Sequence, residues 1–510
     1  MKCLLFAIYT LLVFTSCSMR EQKNEIPASP PATPESLAKT YCGSCHQYPE
    51  PSLLDHATWK KYVLPRMGYM YGIYPHDSVR KELVGLGKDA EIIEEAGVFP
   101  RQQRLADSTW KSIVDYYLSH APDSLPQPAT KKISMDLELF EVVETPYRLS
   151  PPGTTCVAFG DDGLYLGDAH TQKIYHFDSR LQLQQAARTK EGAVWINNKK
   201  ESLLITVMGS FSPTDEPSGF LMELPKNKEK KAGKIISGLR RPVHTALGDL
   251  NGDDLEDMVI CEFAKWTGRL TWWEQTPAGK YKMHLLSGRP GAIKAYIKDL
   301  NQDGLPDVIA LFGQGDEGIF AYYNQGNGNF TEETMIRFPP SYGSSYFNWV
   351  DFNGDGLEDI IYTAGDNADY LPLMKPYHGI RIYENDGSNR FSESFFFHQN
   401  GAYNAIPFDF DQDGDIDIAS ISFFPDYEKT PEESFVYLEN DGHGNFKAAT
   451  FKHASRGRWI VMDHADWDGD GDEDLVLGAL AFEVIPDHLG YVKKWTESGL
   501  SFVILENTLK

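Results

Sequence analysis

"DWDGDGDED", residues 466 to 474, places six acids in nine positions, with Gly469 and Gly471 at the bends. Carboxylates held that close repel one another, so a turn of this kind calls for a bound cation. The stretch has four earlier counterparts: "DLNGDDLED" from Asp249, "DLNQDGLPD" from Asp299, "DFNGDGLED" from Asp351 and "DFDQDGDID" from Asp409. The spacings are 50, 52, 58 and 57 residues. Self-similarity at such a period indicates a solenoid or a propeller.

Oxygen ligands fall at positions 1, 3, 5 and 9 of each nonamer. They are Asp249, Asn251, Asp253 and Asp257; Asp299, Asn301, Asp303 and Asp307; and Asp351, Asn353, Asp355 and Asp359. The last two sets are Asp409, Asp411, Asp413 and Asp417, with Asp415 at position 7, and Asp466, Asp468, Asp470 and Asp474, with Asp472 at position 7. Hard oxygen donors in this number select Ca²⁺ over zinc or copper, with position 7 able to add a backbone carbonyl. The nonamers hold 23 acids against a net charge of −25, and five Ca²⁺ would return ten positive charges. An EF-hand is excluded: position 12, where that loop needs a bidentate Glu, is Ile260, Ala310, Tyr362, Ser420 or Leu477. A β run such as "DVIALF" follows each nonamer where an EF-hand would have a helix.

Each unit then continues through a strand to a turn such as "NQGNGNF" or "NDGHGNF" and another strand, giving four strands per unit. These residues resemble the FG-GAP/VCBS-type repeats also found in the integrin α head, over about residues 150 to 510. The resemblance implies an all-β, seven-bladed propeller with calcium loops. "FGDDGLYLGD" (159–168) reads as a degenerate unit, and 191–240 as one with no acidic loop. The chain stops at "SFVILENTLK", where a blade's outer strand should follow, and "DLELFEVVETPYRL" (136–149) reads as that strand. It is expected to pair beside Phe502–Glu506 and close the ring, making 133–510 one domain.

A small all-α domain is expected over 34–126. "YCGSCHQYPEPS" contains Cys42, Cys45 and His46 in the C-x-x-C-H spacing of c-type haem attachment. Two thiols one helical turn apart can form thioethers, and the adjacent His then lies under the iron. Zinc would need a second ligand pair, which is absent, and a redox dithiol would follow a strand. Thr33 and Pro34 start a helix into the motif, and "DSTWKSIVDYYLSHAP" puts Trp110, Ile113, Val114, Tyr117 and Leu118 on one helical face. This pairing resembles the mono-haem cytochrome c fold, over roughly ninety residues. The resemblance implies one covalent haem c and favours Met67, in "LPRMG", as sixth ligand; Met70 and His56 are alternatives.

"MKCLLFAIYTLLVFTSC" has a Lys, an apolar run too short to span a bilayer and small residues before Cys17, which reads as an export signal over 1–17. Its "FTSC" end resembles the lipobox of bacterial lipoproteins, implying lipidation of Cys17; with Phe14 where Leu is usual, a plain cleaved signal is the alternative. Residues 18–33 read as a polar, Pro-rich tether. The expected location is therefore the periplasm, outer membrane or cell surface. Net charge argues against a nucleic-acid partner.

No nucleotide-binding glycine loop, nucleophile elbow or zinc signature is present. The expectation is an electron-transferring cytochrome with a redox partner protein, its propeller serving as partner or substrate platform. The alternatives are a haem-coupled dehydrogenase and a surface ligand-binding or adhesion module. Long loops at 365–379, 423–434 and 481–499, with basic connections at 240–244, 289–294 and 456–459, form the face expected to take a sugar, an anion or a protein.

Overall fold

The computed structural model describes residues 32–129, 132–368, 373–481 and 489–509. The signal segment with Cys17, and the tether up to residue 31, lie outside them. Among the described residues no helix is long and apolar enough to cross a membrane.

Seven four-stranded antiparallel sheets form the propeller. Blades one to six follow chain order over 154–188, 193–239, 242–287, 292–337, 344–398 and 402–449. Blade seven combines Trp459–Ala465, Asp474–Ala479 and Phe502–Asn507 with Phe140–Glu144 as its outer strand. Phe140 pairs with Asn507 and Glu144 with Val503, so the ring closes by pairing the two ends of the domain. That pairing covers a strand edge that would otherwise be exposed. The second strand of every blade is buried at each position, as in Asp307–Phe312 and Asp359–Ala364, because neighbouring sheets cover both its faces.

The turn before this strand and the turn before the fourth strand share one face of the ring. The loops after the second strand and the blade-to-blade connections share the other. Acidic nonamers occupy the first face and long loops the second. One of those loops carries a helix, Tyr491–Ser498, bounded by left-handed Gly490 and Gly499.

Ahead of the propeller is a helical unit. Its first helix, Pro34–Cys42, is capped by Thr33, whose Oγ1 accepts from Ser36 N at 3.1 Å. It packs on the last helix, Asp107–His120, around Ala38, Trp59, Leu64, Ile113 and Tyr117. Gly68, in the helix Leu64–Met70, lies on Trp110 of the last helix, with 3.3 Å between the ring and the place a Cβ would take, so any larger residue would push the indole back by a few tenths of an ångström.

Candidate functional site

Cys42 is the last residue of the first helix, and the turn after it carries Cys45 and His46. Cys42 is half-buried, Cys45 exposed, and both thiols are free. Burial raises the Cys42 thiol above its ordinary range. The buried His46 bonds through Nδ1 to the carbonyl of Gln47 at 2.8 Å. That fixes the tautomer with the proton on Nδ1 and leaves the Nε2 lone pair for a metal, the arrangement ligating histidines adopt. Burial also pulls the imidazole below its usual range, keeping it neutral. The following turn is pinned by Tyr117 Oη on Pro49 O and Trp59 Nε1 on Pro51 O, both at 2.8 Å.

The two methionines separate. Both lie in the helix Leu64–Met70, but Met70 packs on Val84, Ile93 and Phe99, whereas Met67 is half-buried and belongs to neither helical core cluster. His56 opens a short helix capped by Asp55. Cys156 and Cys261 are buried free thiols within the blades.

The helical unit sits on the long-loop face. Asp89 accepts from Thr214 Oγ1 at 2.8 Å and Asp215 N at 2.9 Å. Phe99 meets Trp266 edge-on with ring centroids 5.2 Å apart. Tyr377 Oη donates to Leu53 O and Gln127 Nε2 to Met374 O, both at 2.9 Å. Leu373, from the 365–379 loop, packs into the cluster that holds Cys42. The charges of Asp316 and Arg337, on blade four, act on His46. The segment Cys42–His46 therefore borders the propeller face that carries the long loops.

On the opposite face the five acidic turns share one build. Positions 4 and 6 have positive φ throughout, from 57° at Gln412 to 101° at Gly414. Glycine fills most of these positions and Asp254 one, since Asp tolerates the left-handed region better than most residues. The first aspartate closes each turn on backbone donors, as with Asp299 Oδ2 and Gly304 N at 2.9 Å. In blades six and seven one oxygen each of Asp409, Asp411 and Asp413, and of Asp466, Asp468 and Asp470, lie within 4.8 Å of one another. Beside them Asp409 Oδ1 and Asp472 Oδ1 are buried with no hydrogen-bond partner. Burial and then the Asp470 charge push Asp472 up to about 6. Clustered acids that resist ionising, with orphaned oxygens, fit a divalent cation. In blades three to five the Asn at position 3 instead hydrogen-bonds within the turn, as with Asn301 Nδ2 and Asp303 at 2.9 Å.

Position 9 stands apart from the exposed acids. Asp257, Asp307, Asp359, Asp417 and Asp474 are fully buried. Asp307 Oδ2 accepts from Leu300 N at 2.9 Å and its Oδ1 from Asn324 N at 2.7 Å, tying the turn to the third strand. The other four repeat the bond to the third strand, through Gln275, Asn385, Asn440 and Asn507 N. Each position-9 aspartate is thus a backbone clamp, whatever share its second lone pairs take in metal binding. Sequence reasoning missed the partner asparagines. Asn324 Nδ2 reaches Leu250 O of blade three at 2.8 Å, and Asn507 Nδ2 reaches Phe410 O of blade six at 2.7 Å. The signal was present as a recurrent Asn at the end of the third strand, in "AYYNQG", "IYENDG", "YLENDG" and "ILENTL".

Residues 299–362 and 409–477 match the family described as FG-GAP-like repeat, a span that takes in the acidic turns of blades four to seven. Among solved structures, the streptogramin B lyase is 12% identical with a TM-score of 0.45, covering 72% of this chain and 98% of its own. The computationally designed Ika8 protein is 11% identical with a TM-score of 0.40, covering 72% and 99%. The N-terminal domain of Nup159 is 10% identical with a TM-score of 0.41, covering 75% and 99%. From its strand order and its matched repeats, the chain is a seven-bladed β-propeller carrying FG-GAP-like repeats, with a helical unit docked on its long-loop face.

Proposed function

We propose that this protein is an exported c-type cytochrome that transfers electrons from a site seated on a calcium-stiffened propeller. The observation that carries the reading is the state of His46: buried, neutral, with Nδ1 bonded to a carbonyl and Nε2 left as a lone pair beside two free thiols. Cys42 and Cys45 would hold one haem covalently, and His46 and Met67 would supply the protein ligands to its iron. When bound, the haem supplies a one-electron couple. The chain's own part is to fix the His tautomer, to keep the ring buried, to pin the following turn through Tyr117 and Trp59, and to hold the motif against the propeller. Asp316 and Arg337 set the local field there. The acidic turns would hold about five Ca²⁺, and Cys17 would tether the molecule to a membrane.

The test is a haemochrome spectrum of protein made with a cytochrome c maturation system. One covalent haem per chain is expected, lost in Cys42→Ala/Cys45→Ala. Met67→Leu should remove the thioether-to-iron band while Met70→Leu keeps it. A colourless wild-type protein overturns the reading.

A second reading, haem-coupled oxidation of a small molecule at the loop face, is favoured by one feature: the 365–379 loop reaches the cluster around Cys42 through Leu373 and meets Leu53 through Tyr377.

A further inference from the structure

On the face that carries the acidic turns, blades one and two lack the nonamer, and a cleft of about 350 Å³ opens between them. Small-molecule sites occupy roughly 300–1,000 Å³, so the cleft has room for one ring and its substituents. Blade one lines it with Asp162, Asp178 and Gln185, and blade two with Leu224, Lys226 and Lys228.

The floor is settled. Tyr165 and His176 stack there with ring centres 4.4 Å apart. Asp162 Oδ2 accepts from Tyr165 Oη at 2.6 Å, its Oδ1 from Lys226 Nζ at 3.1 Å and its carbonyl from His176 Nε2 at 2.9 Å. The walls are open. Gln185, half-buried and opposite His176 in the strand pairing, makes no side-chain hydrogen bond among the described residues. Asp178 Oδ2 takes one bond, from Gln184 Nε2 at 2.7 Å, which leaves it a lone pair. Lys228 Nζ reaches only Gln184 O, at 3.4 Å. Ile174 and Leu224 form an apolar strip beside these groups.

Charge around the cleft reverses that of the rest of the face. Two turns of blade two, "KKE" (199–201) and "KNKEKKAGK" (226–234), hold seven lysines against two glutamates. Lys199 pairs with Glu256 and Lys226 with Asp162. Lys200, Lys228, Lys230, Lys231 and Lys234 are exposed and have no carboxylate partner among the described residues. Solubility does not account for them, since they reduce a net charge of −25 that already keeps copies apart.

We propose that this cleft binds one unit of an acidic polysaccharide. The apolar strip takes a face of the sugar ring, Lys228 its carboxylate, and Gln185 and Asp178 its hydroxyls, while the flanking lysines hold the carboxylates of neighbouring units. Lysines alone would suit any polyanion, and the walls narrow the choice. An acidic peptide brings only further negative charge to Asp162 and Asp178, where like charges repel. A sugar brings hydroxyl donors to the same place. A neutral sugar, in turn, leaves the lysines unmet. Neither the segment Cys42–His46 nor the acidic turns contribute, so binding requires neither haem nor calcium.

The test is calorimetric titration of the full chain with trigalacturonate, with its methyl ester and with triglutamate. Saturable one-to-one binding of trigalacturonate is expected, with the ester and the peptide each weaker on the order of tenfold. Lys228→Gln should weaken trigalacturonate on the order of tenfold, and Lys230→Gln/Lys231→Gln should flatten its salt dependence. No saturable binding, an ester that binds as well, or an affinity unmoved by Lys228→Gln overturns the proposal. Triglutamate binding as tightly also overturns it, and assigns the patch to acidic peptides. The three probes on wild-type protein decide the matter even where a variant folds poorly. Haem absorbance of the same sample reports the cytochrome reading separately: trigalacturonate binding by a colourless protein keeps this site and sinks that one.

Discussion

Replacing Asp257 with Asn separates backbone clamping from metal binding in the acidic turns. Asp257 is fully buried. Its Oδ2 accepts from Leu250 N at 3.2 Å and Trp272 Nε1 at 3.0 Å, and its Oδ1 from Gln275 N at 2.8 Å. An amide keeps one acceptor oxygen. In the cheaper rotamer that oxygen stays with Leu250 and Trp272, which turns the NH₂ group toward the Gln275 N–H. Two donors then face each other in a buried place, each costing about 1–3 kcal/mol unmet. Burial already holds the Asp257 carboxyl above its ordinary range, so removing the charge offsets part of this. The net loss is about 3 kcal/mol, or a fall of about 5 °C in the apparent melting midpoint. Melts run in millimolar calcium and in excess chelator read the two roles apart. Asp257→Asn should lower the midpoint in both, whereas Asp253→Asn, in the exposed part of the same turn, should do so only with calcium. If Asp257→Asn melts with the wild type in chelator, the clamp argument fails and position 9 acts through the ion.

Three further outcomes follow from other parts of the structure. Glu433 accepts from Asn400 N and Nδ2, both at 3.0 Å, and burial pushes it from 4.5 up to about 7. With the folded value above the unfolded one, its stabilising contribution is complete below about pH 4.5 and lost as pH rises through 7. Denaturant midpoints should therefore fall across that window by up to about 3 kcal/mol, and Glu433→Gln should flatten the slope. Phe140, on the closing strand, packs against Phe410 and Tyr437 at 5.7 and 5.5 Å. Phe140→Ala should cost about 3–5 kcal/mol by urea unfolding, and Leu285→Ala, at a side chain 60% exposed, almost nothing. Asp89→Ala removes the acceptor for Thr214 and Asp215. It should speed proteolytic release of the helical unit several-fold while leaving the propeller's melting midpoint in place; an unchanged cleavage rate refutes the latch.

What could be read from sequence was whatever the backbone geometry demands of residue type. Acidic turns need oxygens at alternate positions and left-handed residues at the fourth and sixth, and the turns before each fourth strand need left-handed Gly or Asn, as at Gly326, Asn327 and Gly328. Those demands recur with the blade, so the period is visible. The role of position 9 was not legible: sequence displays a carboxylate but not whether backbone N–H groups already occupy it. Nor was the helix Tyr491–Ser498, whose length is set by two flanking glycines and by Trp495 packing under Tyr427 and Tyr491. The seat of the helical unit was hidden as well. Its contacts, Asp89 with Thr214 and Leu53 with Tyr377, span 125 and 324 residues, and no local pattern encodes a pairing at that range.

The two faces of the ring divide the work for a physical reason. Nonamer turns join the first and second strands of a blade, where each bonds to its own third strand, and those of blades three, four and six also bond to the next blade through Asn324, Asn389 and Asn507. Lengthening such a turn would break these bonds, so these turns stay short and alike. The loops after the second strand carry no such obligation, because that strand is already paired on both sides. They can grow without loosening a blade, and the 365–379 loop has grown far enough to place Leu373 among the side chains around Cys42. A rigid acidic face and a variable loop face are then two results of one strand order, and the helical unit sits on the face where added chain costs the ring least.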